Sequence, residues 1–62
     1  MNYFIDGQIV NMISIAKTFE ASCQMAATKD DGRTSRQEEA TLRAIHESTQ
    51  RFIKELKQIQ NQ

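Results

Sequence analysis

Lys29-Asp30-Asp31-Gly32-Arg33-Thr34-Ser35-Arg36-Gln37-Glu38 reads as a turn followed at once by a helix start. Its first half is a polar cluster with a glycine inside it, the composition that punctuates periodic segments. Its second half places a serine three residues before a glutamate. That is a capping box: the serine oxygen accepts the Glu38 amide, and the glutamate reaches back to the Ser35 amide. The reading predicts a turn over 29–34 and a helix from about 35 to about 59, with trailing glutamines beyond it.

Working back from the turn, the chain contains no proline, and its other glycine is Gly7. A first helix is predicted over about 3–28. Two starts compete. Asp6 can cap the helix, with Ile5 and Val10 as a hydrophobic staple across the first turn. Alternatively the helix begins near Asn2 and tolerates Gly7 at a cost of about 1 kcal/mol relative to alanine. The earlier start is favoured, because Ile5 continues the apolar spacing of the segment.

That spacing is the strongest signal in the chain. Ile5, Ile9, Met12, Ala16, Phe19, Cys23 and Ala26 alternate steps of four and three. Leu42, Ile45, Thr49, Phe52, Leu56 and Ile59 do the same after the turn. Both are heptad seams. Folding the chain back at Gly32 pairs positions whose numbers sum to 64 or 65. The expected layers are Cys23–Leu42, Phe19–Ile45, Ala16–Thr49, Met12–Phe52, Ile9–Leu56 and Ile5–Ile59. Each seam residue in these six layers then meets a seam residue, with Ala26 left over next to the turn.

The fold class read from this pattern is all-α: one domain over 1–62, an antiparallel two-helix hairpin that dimerises into a four-helix bundle. The dimer enters through size. Sixty-two residues leave a marginal core unless disulfides, metal or a partner add to it. Cys23 is the sole cysteine and His46 the sole histidine, so neither a disulfide within the chain nor a four-ligand zinc site can form from them. Ile13, Ile15 and Ile53 also widen the apolar stripe beyond a two-stranded contact. The expected oligomer interface comprises Ile9, Met12, Ile13, Ala16, Phe19, Thr49, Phe52, Ile53 and Leu56.

Eight basic and eight acidic residues balance to zero, so bulk charge gives no pull toward nucleic acid or anionic lipid. The first residues lack the basic start and continuous apolar run of a signal peptide. The richest apolar stretch, 9–16, is interrupted by Asn11 and Ser14, well short of a membrane span. A free thiol with no export signal points to a reducing cytoplasm.

No active site emerges from the residue pattern. Cys23 falls on the seam, where a cysteine behaves as a small hydrophobe, and no histidine lies within one turn to activate it. His46 sits at the seam edge, fitting a hydrogen-bonded, partly buried imidazole better than a metal ligand or pH switch. The Glu-x-x-His arrangement of di-iron bundles is absent. The acidic turn fails as a calcium loop: with Gly32 as its sixth position, Ala27 and Lys29 would have to ligate. No catalytic residue, metal or cofactor is expected.

Two surfaces carry the functional expectation. Tyr3, Phe4, Val10 and Met25 form a possible contact surface for a different protein, methionine being suited to repacking. Arg36, Arg43, Arg51, Lys54 and Lys57 form a basic outer face on the second helix that can meet phosphates. Glu39 and Glu47, each four residues before an arginine, are placed to neutralise much of it, and no aromatic residues interleave for base stacking. The function read from the sequence is therefore a non-enzymatic, homodimeric interaction protein that binds and regulates another macromolecule, with an unidentified protein as partner and no membrane association. A small nucleic-acid-binding regulator is the alternative.

Overall fold

The computed structural model describes residues 2–29 and 32–62. It contains two helices of equal length, α1 (Tyr3–Ala27) and α2 (Arg36–Gln60). The Asn2 side chain caps α1, accepting from the Phe4 and Ile5 amides at 2.8 and 3.3 Å. Asp6 is therefore not the cap; it lies in the first turn, its amide bonded to the Asn2 carbonyl. Gly7 is an ordinary helical residue. The helix ends at Thr28, whose hydroxyl turns back on the Gln24 and Met25 carbonyls.

Gly32 follows with φ +71°, donating its amide to the Thr28 carbonyl at 3.0 Å. This left-handed conformation costs a side-chain-bearing residue about 1–2 kcal/mol, which explains a glycine at the chain reversal. Asp30 and Asp31, the acidic pair of the turn, lie outside the described residues. The capping box of α2 is complete: Ser35 Oγ accepts from the Glu38 amide, and Glu38 Oε1 accepts from the Ser35 amide, both at 3.1 Å.

Two side-chain bonds tie the helices together and set their register. Gln60 Nε2 donates to Asp6 Oδ1 at 2.8 Å near the termini. His46 Nδ1 donates to Glu20 Oε1 farther toward the turn. In both pairs the residue numbers sum to 66, so the helices are antiparallel and run slightly off the expected 64–65 register.

The larger departure is rotational. The residues turned inward are Asp6, Ile9, Ile13, Ala16, Glu20, Cys23 and Ala27 on α1. On α2 they are Glu38, Leu42, Ile45, Thr49, Ile53, Leu56 and Gln60. Ile9, Ala16, Thr49 and Ile53 are buried, Ile53 most deeply at 4% exposure. The expected seam therefore holds for Ile9, Ala16, Cys23, Leu42, Ile45, Thr49 and Leu56. It does not hold for Ile5, Met12, Phe19, Phe52 and Ile59, which are between 40% and 56% exposed, nor for Ala26, which is exposed while Ala27 turns inward. At 100° per residue, the contact line has turned about 60° around α1 and about 30° around α2.

The two lines share Ile9, Ala16 and Cys23; the rotation exchanges Ile5, Met12, Phe19 and Ala26 for Asp6, Ile13, Glu20 and Ala27. It turns the Phe19 ring out of the contact and brings Glu20 and Asp6 within reach of His46 and Gln60. The result is a slab one helix thick, 46 × 16 × 8 Å between Cα extremes.

Candidate interaction surface

A slab has two broad faces, and in this chain they differ. Residues seven apart on a helix return to the same side within about 20°. Ile5, Met12, Phe19 and Ala26 thus share one flank of α1, joined by Ile15. Phe52 and Ile59 share a flank of α2 with Thr41 and Ser48. These are the same side of the hairpin, because Phe19 lines one groove with Thr41, Ala44 and Ser48 across the interhelical boundary. Toward the turn that groove runs into a wider one of about 540 Å³, walled by Cys23, Ala26, Ala27, Thr41, Leu42 and Ile45, with Ser35, Gln37 and Glu38 at its turn end.

Along its length this open face carries no charged residue from α1, and α2 turns Glu38 and Glu55 toward it. The reverse face is more polar, with Lys17, Gln24, Glu39, Gln50 and Lys57 around its centre, although Tyr3 and Val10 are also exposed on the α1 side of it. The His46–Glu20 pair closes the boundary on that side, with the glutamate side chain 13% exposed and the imidazole 57% exposed. The imidazole is thus hydrogen-bonded across the hairpin while standing largely in solvent.

The surface area bears on the same contrast. The chain exposes 5160 Å², about 1,000 Å² more than the roughly 4,100 Å² of a compact monomer of its mass. Ile5, Met12, Ile15, Phe19, Phe52 and Ile59 are each about half exposed. Taking roughly 200 Å² for a residue of this size, they present on the order of 600 Å² on one side.

The residues singled out from the sequence fall in three places. Ile9, Ala16, Thr49 and Ile53, together with half-buried Ile13 and Leu56, are occupied in holding the hairpin together. Met12, Phe19 and Phe52 are the members of that set on the open face. Tyr3, Phe4, Val10 and Met25 are all exposed, at 83%, 79%, 54% and 74%, but do not form one patch. The Tyr3 and Phe4 rings pack edge to face with centroids 5.7 Å apart at the terminal end. Met25 lies 22 residues on, about 33 Å along the helix.

Arg36, Arg43, Arg51, Lys54 and Lys57 are exposed along the outer side and edges of α2. The expected Glu39–Arg43 and Glu47–Arg51 pairs are not formed. Glu39 instead accepts from Thr34 Oγ1, and Arg51 donates to Ser48 Oγ. Such surface pairs are worth only tenths of a kcal/mol, so neighbouring side chains readily replace them. Five cations share α2 with four glutamates, leaving a local excess of one positive charge.

The thiol of Cys23 is free and half-buried. Among the described residues no group of three or more histidine, cysteine or acidic side chains is placed to hold a metal ion. No described helix is long and apolar enough to cross a membrane. What sequence reasoning missed was Ile5, Ile15 and Ile59 as members of the exposed face. Their signal was in the pattern, as apolar residues at the edge of an over-wide stripe. Comparison with family models, curated proteins and solved structures finds no match to this chain.

Proposed function

We propose that this chain is a non-enzymatic interaction module: a helical hairpin that self-associates through its open apolar face and, so assembled, binds another macromolecule. The supporting observation is the exposed apolar face of Ile5, Met12, Ile15, Phe19, Phe52 and Ile59. Covering it on two copies removes on the order of 1,200 Å², the lower end of specific protein interfaces. An exposed apolar patch of this extent is at the upper end of what a monomer carries, and such patches are often functional. A nucleic-acid role has less support, because the glutamates of α2 nearly cancel its cations.

Sedimentation equilibrium over a wide concentration range is the direct test, with Phe19→Glu alongside. The unaltered chain is expected to reach twice its 7.1 kDa mass, and the variant to stay at 7.1 kDa with its helical circular dichroism retained. A chain that stays monomeric at every concentration defeats the reading. So does a Phe19→Glu chain that associates equally well.

A further inference from the structure

We infer that the two bonds joining the helices, His46–Glu20 and Gln60–Asp6, act as a latch that keeps the apolar face open. They hold α1 turned away from the contact line that its heptad spacing favours. The inference stands on the single hairpin and does not depend on self-association.

The observed contact line and the heptad line share Ile9, Ala16 and Cys23 on α1, and Leu42, Ile45, Thr49 and Leu56 on α2. They part at six positions, and at each the observed line takes the next residue along. Ile13 stands in for Met12, Ala27 for Ala26 and Ile53 for Phe52, apolar for apolar. The other three exchanges bring in a polar residue: Asp6 for Ile5, Glu20 for Phe19 and Gln60 for Ile59. Those three residues, with His46, are the ones that make the two cross-helix bonds.

Burial alone does not favour this choice. It leaves Ile5, Met12, Phe19, Phe52 and Ile59 between 40% and 56% exposed, while the Glu20 side chain is turned in to 13%. Apolar groups stabilise in proportion to the area removed from water, and a carboxylate withdrawn from water is costly unless it is hydrogen-bonded. The two bonds are what the observed line gains in return. Each hydrogen bond to a charged group changes a two-state balance on the order of tenfold or more.

On the heptad line α1 is rotated by about 60°, which carries Glu20 and Asp6 off the boundary and away from His46 and Gln60. Release of the bonds leaves two inward carboxylates without partners. Rotation then lets both reach water while Ile5, Met12 and Phe19 close onto α2, and the open face is lost.

Two tryptophan reporters, introduced one at a time, read the rotation. Phe19→Trp stands on the open face and Ile13→Trp on the inward side, about 120° away around α1. In each, His46→Ala with Gln60→Ala cuts both bonds from α2 and leaves Glu20 and Asp6 in place. With helical circular dichroism retained, emission from position 19 is expected to move to shorter wavelength and emission from position 13 to longer wavelength. Rotation alone moves the two in opposite directions. If neither moves, packing holds the contact line without the bonds and the inference fails. If both move to longer wavelength, the bonds hold the helices together without setting their rotation, and it fails again. A shift at position 19 alone is the signature of a second copy covering the face, and also overturns the latch.

His46→Asn supplies the control, because its amide keeps a donor where Nδ1 stood. Both reporters are expected to keep their original emission in that variant and to shift part way in His46→Ala alone. Equal shifts in the two variants would mean that the hydrogen bond is not what sets the rotation.

Discussion

The two helices are equal in length and unequal in kind. α2 carries nine charged residues and α1 three, and those three, Asp6, Lys17 and Glu20, fall within an arc of about 60°. α2 exposes two large hydrophobic residues, Phe52 and Ile59, whereas α1 exposes eight. α2 is a boundary helix: one apolar stripe turned to a neighbour and the rest given to solvent. α1 has the composition of a helix with neighbours on more than one side, yet the hairpin supplies it with one. The difference is why the proposed association draws mainly on α1.

The largest expected effect separates the two uses of isoleucine. Ile53→Ala on α2 removes the most deeply buried side chain and should cost about 3 kcal/mol. In so small a chain that is enough to abolish a cooperative melting transition. Ile15→Ala on α1 removes a half-exposed side chain and should cost under about 1 kcal/mol in dilute protein, with the deficit growing as concentration rises. Equal losses in dilute protein, measured by thermal melting, would break the distinction between core and open face.

A smaller effect compares the helix starts. Ser35→Ala dissolves one half of the capping box of α2 and should lower stability by about 1 kcal/mol. Asn2→Ala removes the cap of α1 at a free chain end, where fraying absorbs part of the loss, and should lower it by less. Chemical denaturation of the two variants side by side orders them. The reverse order would mean that the Asn2 cap holds α1 more firmly than the capping box holds α2.

The smallest effect has the opposite sign. A methyl group added at Gly7 meets nothing within 4 Å, and the residue sits inside a helix with no positive φ. Gly7→Ala should raise stability by about 0.5–1 kcal/mol, as loss of backbone freedom in the unfolded chain predicts. A fall in stability would show that something approaches the α1 backbone closely there, sharpening the case that α1 is covered on its outer side.

Much of this arrangement was legible residue by residue. The Ser35–Glu38 box marked the start of α2, Gly32 the reversal, and the uninterrupted spacing from Ile5 onward the early start of α1. The rotation was not. On α1 apolar residues spread from Ile13 round to Ile15, about 160° of the circumference, so the pattern admits several contact lines and selects none. Nor did charge pattern reveal that Glu20 and Asp6 would turn inward to meet His46 and Gln60. Those polar ends become acceptable only when the opposite helix brings a partner within hydrogen-bonding reach.

By itself the sequence determined two helices, a turn between them and antiparallel packing, because capping, left-handed glycine and heptad spacing are local chemistry that each segment carries alone. Tertiary structure decided which side of each helix faces the other. That choice depends on how closely two surfaces of unequal side chains can approach, a property of the pair and not of either segment. It turned Ile9, Ala16, Thr49 and Ile53 inside and left Met12, Phe19 and Phe52 on an open face, which is the basis of the functional reading.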